Sequence, residues 1–261
     1  MDINHFFDIN EKPLDNLISD GGFCGIFRTI GVVGDSLSSG EFEAMSADGV
    51  LAYHDFYEYS WGQYMARTIG CKVYNFSRGG MTCKEFCESF GEKCGAWSYD
   101  KLCQAYIIAL GCNDKNITPE VGSVDNMTPS GYNNGDTFAA YYIQIIQRLR
   151  AKAPDAKFFL VPQPKTDTDD DFLTNWKSET AQLLRDIADK IPNTYVIDLH
   201  KYAPVYDEQF KKAFYLRGHL NPAGYLLTSK MMISYMDYII RHNIEDFHQT
   251  GFINTPYKSV E

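Results

Sequence analysis

Residues 27–37 read FRTIGVVGDSL, a short apolar run that ends at a Gly-Asp-Ser turn. A run of this kind, with its β-branched side chains, is typical of a buried strand. Four similar runs follow along the chain. The sequence therefore predicts five strands, at residues 27–33, 72–76, 105–110, 157–161 and 194–199.

Stretches with helical spacing separate these runs and follow the last of them. They lie at residues 61–69, 82–90, 137–151, 175–191 and 222–242. Alternation of strands and helices predicts an α/β fold with a parallel sheet, helices on both faces and right-handed crossovers. In such a sheet, functional sites form beyond the carboxyl ends of the strands.

The length of 261 residues suits one domain, and no linker or repeat divides it. We expect a single domain over 1–261, with an N-terminal extension at 1–26 and a C-terminal tail at 243–261. The tail contains Phe247, Phe252 and Tyr257, so we expect it to pack on the domain.

The formal net charge of −10 disfavours nucleic acid and anionic membranes as partners. The N-terminus lacks a basic leader, and no apolar run approaches the length of a membrane span, so we expect a cytoplasmic protein. Seven cysteines in a domain of this size indicate reduced thiols. Four of them lack the paired spacing of a structural zinc site, so we expect no metal there: Cys83, Cys87, Cys94 and Cys103.

Ser36 in the Gly-Asp-Ser turn is a candidate nucleophile. A serine hydroxyl is a poor nucleophile at neutral pH, so it needs a base and donors aimed at the oxyanion. Three other segments offer these groups, although each alone would indicate only a turn or a helix start, as Ser36 alone would indicate a helix cap. They are residues 75–82 (NFSRGGMT), 111–114 (GCND) and 218–225 (GHLNPAGY).

Together and in this order, the four segments resemble the SGNH superfamily of GDSL-type esterases and lipases, from residue 30 to residue 240. The resemblance implies a flavodoxin-like, three-layer αβα fold with a five-stranded sheet of order 2-1-3-4-5. It implies that Ser36 is the nucleophile and His219 the base, and that no cofactor is needed. The implied oxyanion donors are the Ser36 N–H, the Gly80 N–H, with Gly79 as the alternative, and the Asn113 side chain.

One position departs from the family pattern. The family usually carries an aspartate three residues before the histidine, where this chain has Leu216. We expect a backbone carbonyl to accept the Nδ1 proton of His219 in its place. A carboxylate from another segment is the alternative, with Asp207, Asp246 and Glu245 as candidates.

The substrate is less clearly indicated. An aromatic loop at 40–60 and a polar loop at 114–136 are candidate rims of the cleft. Candidate wall residues are Tyr53, His54, Tyr57, Arg78 and Arg217. We expect a short-acyl, acetyl-type ester of a carbohydrate. The alternatives are a lipase or thioesterase for longer chains, and a catalytically weak binding module on the same fold.

Overall fold

The computed structural model describes residues 7–8, 10–125, 127–128, 131–132, 135–258 and 260. Parts of the predicted N-terminal extension, of the loop at 114–136 and of the C-terminal tail lie outside the described residues. Those parts are residues 1–6, 9, 126, 129–130, 133–134, 259 and 261.

In the described part of the chain, the strands lie between Thr29 and Leu220. Their bounds are β1 Thr29–Gly34, β2 Glu41–Met45, β3 Leu51–Asp55, β4 Lys72–Ser77, β5 Ala105–Ala109, β6 Met127–Thr128, β7 Gly131–Tyr132, β8 Lys157–Leu160, β9 Thr194–Val196, β10 Tyr215–Leu216 and β11 His219–Leu220. The α-helices are α1 Ser36–Ser39, α2 Trp61–Ile69, α3 Cys83–Glu85, α4 Gly91–Lys93, α5 Phe138–Arg150, α6 Asp171–Lys190, α7 Leu199–Tyr202, α8 Glu208–Phe214, α9 Pro222–His242 and α10 Ile244–Phe247.

Five strands form the central sheet, in the order β4-β1-β5-β8-β9, and all neighbours are parallel. Counted in chain order this is 2-1-3-4-5, so the predicted fold class and strand order are confirmed. The side chains of Val32 and Val33 enter the two different cores, one on each face of the sheet. Helices α2 and α9 cover one face, while α5 and α6 cover the other. The alternation of side chains along a strand accounts for this two-sided burial.

Most predicted strands and helices have bounds within two residues of the observed ones, and three elements differ by more. Helix α6 begins at Asp171 rather than at residue 175, because Asp170 caps it by accepting a hydrogen bond from Leu173 N. Strand β9 ends at Val196, since Asp198 caps the short helix α7. The helix predicted at 82–90 is α3 followed by a π-helical turn at Phe86–Phe90.

The aromatic segment predicted as a loop at 40–60 contains an antiparallel hairpin, β2–β3. Its ladder runs from the pair Glu41 and Asp55 to the pair Met45 and Leu51. The turn contains Asp48 and Gly49, and Gly49 has a φ of 78°. A positive φ suits glycine, which is why Asp-Gly is a strong hairpin signal. This hairpin follows α1 directly and lies beside the carboxyl edge of the sheet.

The two terminal segments pack on the sheet and on α9. Ile18 N donates to Ser234 Oγ (3.0 Å), and Phe23 N donates to Asp237 Oδ1 (2.7 Å), so the N-terminal segment lies along α9. In the tail, Phe247 is buried, and Thr250 O accepts a hydrogen bond from Nε2 of Gln104 (2.8 Å), the residue just before β5. The tail therefore lies at the amino edge of the sheet, away from the carboxyl ends of the strands.

All seven cysteines are free thiols. Among the described residues, no group of three or more His, Cys, Asp or Glu side chains is placed to hold a metal ion. No helix in that same part of the chain combines the length and apolar character needed to cross a bilayer.

Candidate active site

Ser36 is the first residue of α1, two residues after the end of the inner strand β1. Asp35, rather than Ser36, caps this helix, because its Oδ1 accepts a hydrogen bond from Leu37 N (3.0 Å). The backbone N–H groups in the first turn of a helix have no partner within it. The Ser36 N–H is therefore available to an oxyanion, and Ser36 is partly exposed.

The segments that follow β4 and β5 flank Ser36, because these strands are the two neighbours of β1. Asn113 Nδ2 donates to Met81 O (3.1 Å), which joins the two segments. An amide nitrogen carries two protons, so one remains for a ligand. Gly80 lies exposed with a φ of 72°, a conformation that favours glycine.

His219 lies in a small hairpin just before the last long helix. In this hairpin β10 pairs with β11, and Leu216 is directly opposite His219 across a turn made by Arg217 and Gly218. Leu216 is 44% exposed. The apolar side chain of Leu216 cannot accept a hydrogen bond from the imidazole. The polar partner of His219 Nδ1 therefore has to come from another segment.

That partner is Glu43 on β2. Its Oε1 lies 2.8 Å from His219 Nδ1 and accepts from Gly218 N (3.2 Å), and its Oε2 lies 3.3 Å from Arg217 Nε. A β-carbon at residue 218 would lie 2.5 Å from Oε1, so glycine is what permits this approach. The Glu43 side chain is only 9% exposed. Three donors therefore hold one nearly buried carboxylate against the imidazole.

The expectation that a backbone carbonyl accepts the Nδ1 proton is wrong, because Glu43 occupies that position. The other candidates are also engaged elsewhere. Asp207 caps α8 by accepting from Phe210 N (2.7 Å), and Asp246 accepts from the Tyr195 hydroxyl (2.9 Å). Glu245 lies on α10 in the tail, at the opposite edge of the sheet.

The second ring nitrogen of His219 meets another glutamate of the same strand. Glu41 Oε1 lies 3.1 Å from His219 Nε2, and the imidazole side chain is 14% exposed. The hydroxyl of Tyr225 lies 2.7 Å from Glu41 O and 3.4 Å from Ser36 O. Tyr225 thus ties the nucleophile segment and the hairpin to α9, and α1 contacts the strand that carries His219.

The predicted aromatic wall is only partly at this site. Tyr53 pairs with Glu43 across the hairpin, is 56% exposed, and its ring centroid lies 5.8 Å from that of His219. His54 is on the other face of the hairpin, because side chains alternate along a strand. The Tyr57 hydroxyl donates to Val73 O (3.0 Å) at the opposite end of β4 from the site, so its assignment to the wall is wrong.

The two candidate arginines are paired with acids. Arg78 Nη2 lies 2.7 Å from Glu85 Oε1, and its guanidinium lies over the Phe90 ring. Arg217 pairs with Glu43, as described above, and its side chain is 63% exposed. Arg217 therefore acts on the partner of the imidazole.

Two buried carboxyls lie beneath the site. Burial raises the pKa of Asp35 to about 7; the hydrogen bond from Leu37 N opposes this shift, and nearby Asp114 adds to it. Burial likewise raises the pKa of Asp114 to about 6. Desolvation disfavours the charged form of an acid, which explains both directions.

The raised pKa of Asp35 makes stability depend on pH. Between its unfolded pKa near 4 and its folded pKa near 7, the unfolded chain loses the proton and the folded chain keeps it, so stability falls as pH rises. The variant Asp35→Asn keeps an oxygen for the cap and cannot titrate. We expect the free energy of unfolding of the wild type to fall relative to Asp35→Asn by about 2 kcal/mol from pH 5 to pH 7.

Urea unfolding at the two pH values measures this difference. Asp170→Asn, at the exposed cap of α6, is the matched control. If the gap between wild type and Asp35→Asn is the same at both pH values, the buried carboxyl is not titrating in this range.

Comparison with known proteins gave a family match. The model of the GDSL-like Lipase/Acylhydrolase family matches residues 32–227. A sequence comparison with curated proteins gave no match.

Several solved structures share the fold at low sequence identity. A carbohydrate esterase family 2 enzyme of Corynascus thermopiles (Myceliophthora fergusii), solved with a carbohydrate-binding domain, is 13% identical with a TM-score of 0.57, over 82% of this chain and 66% of that one. A family two carbohydrate esterase of Clostridium thermocellum in complex with cellohexaose is 14% identical with a TM-score of 0.55, over 84% and 65%. The lipase/acylhydrolase of Enterococcus faecalis is 17% identical with a TM-score of 0.52, over 82% and 96%. The chain spans about two thirds of the first two proteins, and these likenesses show the fold alone.

Proposed function

Because the chain belongs to the GDSL-like lipase/acylhydrolase family and is an ester hydrolase, we propose that it is a serine esterase with Ser36 as nucleophile and His219 as base. The observation that carries this proposal is the buried Glu43 carboxylate on His219 Nδ1. An acid in this position fixes the tautomer in which Nε2 can accept a proton.

The reaction follows from these roles. His219 Nε2 takes the Ser36 hydroxyl proton as Ser36 Oγ bonds to the ester carbonyl carbon. The negative charge on the carbonyl oxygen is stabilised by the N–H groups of Ser36 and Gly80 and by Asn113 Nδ2. The C–O bond then breaks, and Nε2 gives its proton to the departing alcohol. Water attacks the acyl-enzyme with His219 as base, which releases the acid and restores Ser36.

The acyl group that fits this site is short. An apolar cavity of about 90 Å³ lies beside the nucleophile segment, and its lining includes Leu37, Cys112, Tyr215 and Leu220. An apolar cavity of about 150 Å³ is enough for benzene, so this one suits an acetyl to butyryl group. The alcohol part is proposed to be a carbohydrate, supported by the exposed Tyr53 ring beside His219 and by the carbohydrate esterases with the same fold.

A chain-length series of p-nitrophenyl esters tests the acyl assignment. We expect kcat/KM to be highest for acetate or propionate and to fall about tenfold or more beyond butyrate, because each extra methylene exceeds the cavity. Activity that rises steadily past butyrate would instead support a lipase or thioesterase.

A matched pair of variants tests whether this cavity sets the limit on acyl chain length. Leu37→Ala enlarges it and is expected to move the optimum toward longer chains. Leu226→Ala, on the exposed face of α9, is expected to leave the optimum unchanged. An equal shift in both variants would mean that another part of the molecule sets the acyl length.

A further inference from the structure

Glu41 lies between the base and the loop of the proposed oxyanion donor. Its Oε1 is 3.1 Å from His219 Nε2, and its side chain is 14% exposed. On the other side, a β-carbon at residue 79 would collide with its Oε2. One carboxylate thus spans the space from the base to the turn that holds Gly80.

The strand that carries Glu41 is fixed in place. The backbone carbonyl of Glu41 accepts a hydrogen bond from the hydroxyl of the buried Tyr225 (2.7 Å), and Glu41 pairs with Asp55 in the β2–β3 ladder. Asp55 is in turn held by a hydrogen bond from Ser39 Oγ (2.6 Å) in α1. The carboxylate therefore extends into the site from a fixed point close to the nucleophile.

An ester that reacts at Ser36 would have its alcohol part at this position. His219 Nε2 must reach the oxygen of the departing alcohol in order to protonate it, so that oxygen binds within about 3 Å of Nε2. Glu41 Oε1 is already at that distance from Nε2. The atoms next to the ester on its alcohol side must therefore contact Glu41 and displace it from the ring nitrogen.

A bare carboxylate at this point opposes the reaction. Negative charge develops on the carbonyl oxygen next to it, and two like charges in a partly desolvated site repel each other. Arg217 and Arg78 are paired with Glu43 and Glu85, and in the described part of the chain His219 is the one ionic partner of Glu41. Burial raises the pKa of Glu41, and Asp55 and Glu43 add to this, while His219 opposes it. A substrate hydroxyl that donates a hydrogen bond to Glu41 would stabilise this carboxylate while the negative charge develops.

We infer that Glu41 determines specificity by accepting a hydrogen bond from a hydroxyl group next to the ester, on the alcohol side. The preferred substrates are then monoesters of vicinal diols, such as partly acylated sugars, and esters of simple or anionic alcohols are disfavoured. This inference rests on the proposed function and names its substrate class.

Two small esters of nearly equal size test this inference. In 2-hydroxyethyl acetate a hydroxyl stands where propyl acetate has a methyl group. We expect the wild type to prefer the hydroxyl ester about 10- to 100-fold in kcat/KM, the range for a hydrogen bond to a charged group. Glu41→Met, which keeps the length and loses the acceptor, is expected to lower that ratio to about 1. Glu41→Gln keeps a neutral acceptor oxygen and is expected to give an intermediate ratio.

The ratio of kcat/KM for the two esters distinguishes a role of Glu41 in specificity from a role in supporting His219. Glu179→Met, on the exposed face of α6, is the control and is expected to keep the wild-type ratio. If Glu41→Met lowers the rates for both esters equally and the ratio stays at the wild-type value, Glu41 only supports His219 and the inference is wrong. A wild-type ratio near 1 also overturns it, while leaving the esterase proposal standing. A wild type that hydrolyses neither ester overturns the proposed function, and this inference with it.

Discussion

Glu43→Gln is expected to lower kcat for p-nitrophenyl acetate by about 10³- to 10⁴-fold with little change in fold stability. The amide keeps the size of the carboxylate. Its NH₂ group donates to Nδ1, however, and this places the ring proton on Nε2, which then cannot accept the proton of Ser36. In Ser-His-Asp triads the same acid-to-amide change costs about 10⁴ in kcat for this reason. Steady-state kinetics, with a thermal melt to check folding, measures the effect.

Two other acids are the controls for this prediction. Asp207 caps a helix, and Asp246 accepts a hydrogen bond from the Tyr195 hydroxyl. The variants Asp207→Asn and Asp246→Asn are therefore expected to keep kcat within about threefold of wild type. If either of them costs as much as Glu43→Gln, the carboxylate that supports His219 has been wrongly assigned.

Ser36→Ala is expected to lower kcat by about 10⁵- to 10⁶-fold and to abolish labelling by a fluorophosphonate. Loss of the nucleophile leaves only the contributions of substrate binding and the oxyanion donors. Ser39→Ala is a matched control in the same short helix, because the Ser39 hydroxyl bonds to Asp55 (2.6 Å) and Ser36 O. It is expected to keep the label.

The labelling pattern also decides between an enzyme and a binding module. Labelling of the wild type together with no labelling of Ser36→Ala supports the assignment of Ser36 as nucleophile. A protein that is unlabelled in both forms would favour a binding module on this fold. Label that persists in Ser36→Ala would place the reactive serine elsewhere.

The central sheet could be predicted because its signal is local. The inner strands β1, β5 and β8 are short apolar runs buried almost throughout, and the edge strands β4 and β9 are partly exposed but have the same spacing along the chain. The helices α2 and α9 begin and end at the predicted residues, since Ser60 and Asn221 cap them. The strand ends then place Ser36, Gly80 and Asn113 at one edge of the sheet.

The partner of His219 could not be predicted in the same way. Glu43 and His219 are 176 positions apart in sequence, and the contact depends on how the β2–β3 hairpin folds over the carboxyl edge of the sheet. A signal for the hairpin was present in the Asp48-Gly49 turn between two alternating runs, which predicts paired strands. With that hairpin in place, Glu41 and Glu43 fall on one face, since they are two residues apart. Which face meets His219 is decided by tertiary packing through Phe42 and Tyr225.

The central claim is that Glu43 acts through His219, and a double-mutant cycle tests it most directly. We compare kcat for the wild type, Glu43→Gln, His219→Ala and the double variant. If Glu43 serves only to orient the imidazole, adding Glu43→Gln to His219→Ala is expected to change kcat by less than about threefold, against about 10³-fold or more in the wild-type background. An equal loss in both backgrounds would show that Glu43 acts independently of His219 and would contradict the account.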